Sequence, residues 1–289
     1  MLPSYSELKP IALALIGLLT FCSIDFPAHA AEHVQFESAR YQVAPLQRRL
    51  ALERREPILR QSAETVDGYL SKPEGGGPFP ALVHLHGCGG LPPAVKTNVD
   101  HFWARRLAAW GYVVLVVDSF TSRRIGNTCS GEYAPRVADA YGALAWLTRQ
   151  PFVDPERVGL IGFSAGGIAT LSIAETREFE LYEEEVTHRF KAAVAYYPAC
   201  VTDGNVKIPT LILIGELDDW TPAARCNAMM KRRKPDSPVR LIVYPDAHHV
   251  FDAAGPGRRY FGHWLAYNAA AAERASEEVR RFLAQHLTR

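Results

Sequence analysis

Gly162-Phe163-Ser164-Ala165-Gly166 is the stretch of this 289-residue chain best suited to chemistry. The G-x-S-x-G spacing lets the backbone turn sharply and hold a serine hydroxyl in the open, because side chains at the flanking positions would collide. Arg157 to Ile161 before it reads as a strand, and Ala165 to Ala174 after it reads as a helix. A helix starting behind the hydroxyl offers free amides where negative charge develops on a bound carbonyl. The pattern points to acyl transfer, with Ser164 as nucleophile.

A serine hydroxyl needs a base to take its proton, and the base needs an acid to orient it. With this motif the expected chain order is serine, acid, histidine. Gly215-Glu216-Leu217-Asp218-Asp219-Trp220 follows one apolar run, and Asp246-Ala247-His248-His249-Val250-Phe251 follows another. Each loop supplies a pair, Asp218 or Asp219 and His248 or His249, and spacing alone does not separate the members. The oxyanion of the intermediate needs two backbone amides. Ala165, directly after the nucleophile, is one. Cys88, in His86-Gly87-Cys88-Gly89-Gly90, is expected to be the other. Trp220, Phe120, Tyr133 and Tyr197 are candidates to line an apolar pocket or simply to pack. His84 and His86 form H-x-H without further ligands nearby, so no metal is expected, and the chemistry needs no cofactor.

These loops require strands to carry them. Thr65–Leu70, Ala81–Leu85, Tyr112–Val117, Arg157–Ile161, Ala192–Tyr196, Thr210–Ile214 and Val239–Val243 read as strands. Pro73–Pro80 reads as a turn, and Asn98–Trp110, Ala134–Gln150, Ala165–Ala174 and Tyr267–His286 read as helices. The alternation predicts an α/β fold with a mostly parallel central sheet and helices on both faces. Ligands in such sheets bind at the carboxyl ends of the strands, where the candidate loops lie.

The 32 Lys+Arg balance 31 Asp+Glu, and 48% of residues are hydrophobic. That argues against a nucleic-acid binder and against a disordered chain. Residues 1–30 have a polar start, an apolar run from Ile11 to Ile24 and an Ala28-His29-Ala30 ending, the layout of a signal peptide. The run is shorter than the roughly 20 residues of a spanning helix. The mature protein is therefore expected to be exported, periplasmic or secreted, without stable membrane insertion. Cys88, Cys129, Cys200 and Cys226 then remain, an even set that suits two disulfides in an oxidising compartment. Residues 31–62 read as a lead-in segment with an arginine-rich solvated helix between Gln47 and Arg60, and residues 63–289 as a single catalytic domain.

Five motifs fall in order over most of the mature chain: Leu85-His86-Gly87-Cys88-Gly89-Gly90, Val117-Asp118-Ser119-Phe120, Ile161-Gly162-Phe163-Ser164-Ala165-Gly166-Gly167, Gly215-Glu216-Leu217-Asp218, and Tyr244 to Phe251. From about Val66 to Leu287 the chain resembles the dienelactone hydrolase family of the α/β-hydrolase superfamily. The resemblance implies that fold, and it selects Asp218 over Asp219 and His249 over His248. It also implies the disulfides Cys88–Cys129 and Cys200–Cys226. Founding members of the family carry cysteine where this chain has Ser164, and use arginines to hold an anionic lactone. Arg123, or its neighbour Arg124, stands near one such position, while none follows His249 at the matching interval. The expected substrate is a small ester or lactone, with Arg123 and Trp220 as candidate contacts. An amidase or peptidase with the same triad, or a non-catalytic binding protein on this fold, are the alternatives.

Overall fold

A computed structural model describes residues 31–40, 45–56, 64–92, 102–175, 182 and 187–288. The signal-peptide expectation for residues 1–30 lies outside them. So do the first residues of the helix expected from Asn98 and most of the glutamate-rich stretch between Arg177 and Arg189.

β1 (Glu32–Glu37) and α1 (Pro45–Arg54) precede β2 (Thr65–Ser71) and β3 (Phe79–Leu85). Then come α2 (Phe102–Ala109), β4 (Val113–Asp118), α3 (Arg136–Leu147), β5 (Val153–Phe163) and α4 (Ala165–Ala174). β6 (Ala193–Tyr196), β7 (Thr210–Gly215), α5 (Ala223–Arg232) and β8 (Val239–Tyr244) follow, before a hairpin of β9 (Arg258–Tyr260) and β10 (His263–Leu265) and the closing helix α6 (Ala269–Leu287). Strands β1 to β8 form one sheet in the order β1-β2-β4-β3-β5-β6-β7-β8. β2 runs antiparallel to both neighbours, and the pairings from β4 to β8 are all parallel.

The β-branched and leucine-rich strands are apolar throughout because both sheet faces are covered. Side chains alternate, so Val113, Leu115 and Val117 join one core with α3 and with Ala169 and Ile173 of α4. Val114 and Val116 join the opposite core with Trp103 and Leu107 of α2 and Phe282 and Leu283 of α6. This is the α/β-hydrolase arrangement, mostly parallel with helices on both faces.

Two features depart from the sequence reading. Residues 32–37, assigned to a lead-in segment, are an edge strand of the main sheet. Phe36 is buried there, and Ser38 Oγ donates to Asp139 Oδ1 at 2.7 Å. Charged and polar residues alternate along this strand, so it lacks the apolar run that marked the others. The second is the short hairpin β9–β10, whose strands of three residues are too brief for a periodic signal.

Candidate active site

Ser164 sits between the end of β5 and the start of α4, with φ +52° and ψ −114°. A non-glycine residue rarely holds a positive φ, and the surrounding close packing keeps it there. A Cβ at Gly162 would overlap the Gly166 carbonyl and Thr170 Oγ1, and one at Gly166 would overlap the Leu85 carbonyl. Those contacts are why the motif needs both glycines. Ser164 N donates to the Tyr196 carbonyl at 3.0 Å, fixing the turn to the next strand.

Asp218 follows β7, His249 follows β8, and both are buried. His249 Nδ1 lies 2.7 Å from Asp218 Oδ2, and His249 Nε2 lies 3.0 Å from Ser164 Oγ. A carboxylate accepts only, so Nδ1 carries the proton and Nε2 turns its lone pair to the serine hydroxyl. A general base needs that tautomer. Asp218 Oδ1 accepts from the amides of Trp220 (3.0 Å) and Thr221 (2.8 Å), while Thr221 Oγ1 lies 2.9 Å from Oδ2 and 3.0 Å from the Tyr197 carbonyl.

The neighbours in each pair turn elsewhere. Exposed Asp219 accepts from the Trp264 amide at 3.2 Å and lies 3.6 Å from His263 Nδ1, so it fastens the hairpin to the acid loop. His248 Nδ1 donates to the Leu217 carbonyl at 3.1 Å. The loop reverses at Val250, a β-branched residue at φ +60°, and Phe251 is fully buried beneath it.

A family model for the dienelactone hydrolases matches residues 66–287. The chain belongs to the dienelactone hydrolase family. It is 26% identical over 214 residues to a provisionally named carboxymethylenebutenolidase of Methylorubrum extorquens, covering 65% of this chain and 68% of that one. It is 26% identical over 242 residues to an uncharacterized peptidase of Bacillus subtilis, YuxL, covering 67% of this chain but only 35% of the peptidase. The fold matches a dienelactone hydrolase crystal structure from Anabaena variabilis at a TM-score of 0.57 and 19% identity, covering 90% of this chain and 100% of that one.

In this member of the family, the loop after β3 is held from several sides. Cys88 is bonded to Cys129, the Thr128 amide donates to the Cys88 carbonyl at 2.8 Å, and Arg136 Nη2 donates to the Gly87 carbonyl at 3.3 Å. The Arg136 guanidinium lies over the Phe120 ring, and burial lowers it to about 10. Ala165 opens α4, where its amide has no carbonyl of a preceding turn to bond. The second disulfide joins Cys200, after β6, to Cys226 in α5.

Arg123 is not placed to hold a substrate. Its fork lies 2.8–2.9 Å from both oxygens of fully buried Asp139, its Nε donates to Glu64 at 2.5 Å, and Nη1 also reaches the Ser119 carbonyl at 2.9 Å. The expectation of a carboxylate clamp there is corrected, because a planar fork filled by one carboxylate has no second face to offer. Arg124 beside it is exposed. Trp220 does border the site, with its ring 5.2 Å from that of His249. Tyr197 is buried 4.7 Å from the same imidazole, Phe120 is buried under His86, and Tyr133 is exposed. His84 stacks on Phe163 at 4.9 Å. Among the described residues no group of three His, Cys, Asp or Glu could hold a metal ion.

Sequence reasoning missed Thr221, Arg136 and Asp252. Asp252 accepts from Trp103 Nε1 at 2.7 Å and from the Tyr197 hydroxyl at 2.8 Å, and burial raises its pKa. The Asp-x-x-Thr spacing at 218–221, typical of side chains that bond the backbone nearby, could have flagged Thr221. No local pattern marks the other two.

Proposed function

We propose that this protein is an exported serine hydrolase that cleaves a carboxylic ester or lactone through an acyl-enzyme on Ser164. The observation that carries the reading is the unbroken chain Ser164 Oγ–His249 Nε2 and His249 Nδ1–Asp218 Oδ2, at 3.0 and 2.7 Å. Family membership supports ester hydrolysis as the reaction class.

His249 takes the serine proton as Oγ attacks the carbonyl carbon. The carbonyl π electrons move to oxygen, which the amides of Ala165 and Cys88 receive. Asp218 stabilises the imidazolium that forms. Collapse breaks the ester C–O bond, and His249 hands its proton to the leaving alkoxide. Water then attacks the acyl-enzyme with the same histidine as base, releasing the acid and restoring Ser164. With a lactone, the alcohol stays tethered and the product is a hydroxy acid.

Export is supported by the layout of residues 1–30 and by two disulfides, which persist in oxidising compartments. No helix among the described residues is long and apolar enough to cross a membrane. The test is turnover of short-chain phenyl esters by the purified protein and by Ser164→Ala. The variant is expected to fold, to lose turnover and to escape labelling by a fluorophosphonate. Retained turnover in Ser164→Ala refutes the assignment. Faster cleavage of matched anilides than of esters would move the reading to an amidase.

A further inference from the structure

The hairpin β9–β10 ends in a two-residue turn, Phe261-Gly262, between the paired residues Tyr260 and His263. Both turn residues have positive φ, +49° and +84°. Such turns are normally built from Asn-Gly or Gly-Gly, because a Cβ is crowded in the left-handed region. A phenylalanine at the first position is therefore a costly choice for the fold. Burial compensates it only in part, since the residue is 48% exposed. Strain at a half-exposed aromatic residue beside the candidate site is reason to look for a ligand.

The place of the hairpin supports that search. Asp219 ties its second strand to the acid loop, beside the residue that faces His249. At the other end, Tyr260 reaches the oxyanion loop, where a Cβ on Gly89 would come within 3.2 Å of its hydroxyl. The hairpin thus spans from the imidazole side of the nucleophile to its oxyanion side. Along that span Trp220 lies 5.2 Å from His249, 6.0 Å from Tyr260 and 6.4 Å from Phe261, and His263 stacks on Trp220 at 4.8 Å. Phe261 meets Tyr260 edge-on at 4.8 Å.

We infer that Trp220, Tyr260 and Phe261 form a binding wall for an aromatic ring in the alcohol portion of the ester. The inference rests on the serine-hydrolase reading above. The alcohol side is assigned because His249 must protonate the departing oxygen, so that part of the substrate lies against the imidazole and against the tryptophan beside it. Aromatic side chains favour an aromatic partner over a saturated one of equal size through ring quadrupole contacts, beyond the area they bury.

The experiment compares benzyl acetate with cyclohexylmethyl acetate on the purified wild-type protein and on Phe261→Asn. Both esters give the same acetyl-enzyme, so a difference in kcat/KM arises while the alcohol is still bound. Wild type is expected to favour the benzyl ester by about tenfold. Phe261→Asn is expected to reduce that preference to roughly threefold or less while melting no lower than wild type, since asparagine suits the turn better. A wild-type ratio near one, or an unchanged ratio in the variant, overturns the aromatic wall and leaves the triad standing. A lower melting temperature in the variant also overturns it, because the phenylalanine would then be a structural residue. Failure of wild type to cleave either ester while it turns over phenyl acetate overturns the aromatic wall alone; failure on phenyl acetate as well overturns the hydrolase reading and this inference with it.

Discussion

Replacing Asp218 by asparagine should leave the protein folded and nearly inert. The reason lies in how the carboxylate is held. Oδ1 accepts two backbone N–H groups, from Trp220 and Thr221, while Oδ2 faces His249 Nδ1 and the Thr221 hydroxyl. An asparagine must place its carbonyl oxygen on the two amides. Its NH2 group then points at His249 Nδ1 and Thr221 Oγ1. Both can accept, because Thr221 can direct its own proton to the Tyr197 carbonyl at 3.0 Å. Every group is satisfied, but the imidazole is locked with its proton on Nε2, facing Ser164 as a donor. The flipped amide would restore the reactive tautomer and leave two buried N–H groups against another donor. At about 1–3 kcal/mol for each unmet group, the flip costs roughly 2–6 kcal/mol. That corresponds to a loss of about thirty-fold to above 10⁴-fold, and the analogous change in a serine protease costs about 10⁴ in kcat. The assay is kcat on phenyl acetate, normalised to folded protein by circular dichroism and thermal melting. A variant that melts like wild type and keeps kcat within tenfold of it would refute the reasoning about tautomer control.

Other outcomes follow from the same contacts. Replacing Cys88 and Cys129 together by serine opens a loop of 41 residues and should cost up to about 4 kcal/mol, with kcat falling because the loop that carries the proposed Cys88 amide donor loosens. Replacing Cys200 and Cys226, 26 apart, should cost up to about 3.5 kcal/mol with a smaller effect on kcat, and equal kcat losses in the two double variants would refute the distinction. Arg123→Met strands buried Asp139 and should lower stability by about 3–5 kcal/mol in urea melts, while kcat/KM per folded molecule stays within twofold; a large rise in KM in well-folded protein would restore the clamp. Burial raises Asp252 above the ordinary carboxylate value, so unfolding releases a proton in that window and the group's contribution is greatest at acid pH. The stability of wild type relative to Asp252→Asn should therefore fall as pH rises from the unfolded value near 3.8 through the folded one; a rise over that window in denaturant titrations would refute the shifted carboxyl.

The chain's own pattern was enough to place the Ser164 turn and most of the scaffold. The Ser164 turn was legible because it demands glycines at fixed spacing between a strand and a helix, all within one short segment. The parallel strands were legible because burial on both faces makes them continuous apolar runs, and β5 merely extends further than its apolar core suggested. The edge strand β1 was not, because a strand with one neighbour and an open edge keeps polar residues.

Other features are properties of assembly. Adjacent residues on a loop point in different directions, so Asp218 and Asp219, or His248 and His249, are equivalent until the loop is folded. Family resemblance preferred Asp218 and His249, and the fold gives the physical reason. One carboxylate turns inward to two amides and an imidazole, and the other turns outward to pin a hairpin. Arg123 read as a possible substrate contact because its partner Asp139 is on the following helix and Glu64 lies before β2, both invisible to local spacing. The pairing of four cysteines, the buried Asp252 bonded to Trp103 and Tyr197, and the aromatic hairpin beside Trp220 likewise depend on segments far apart in sequence. Local sequence dictates what each segment can form, whereas which side chains meet is decided by sheet order and loop reversal, when the hydrophobic faces close together.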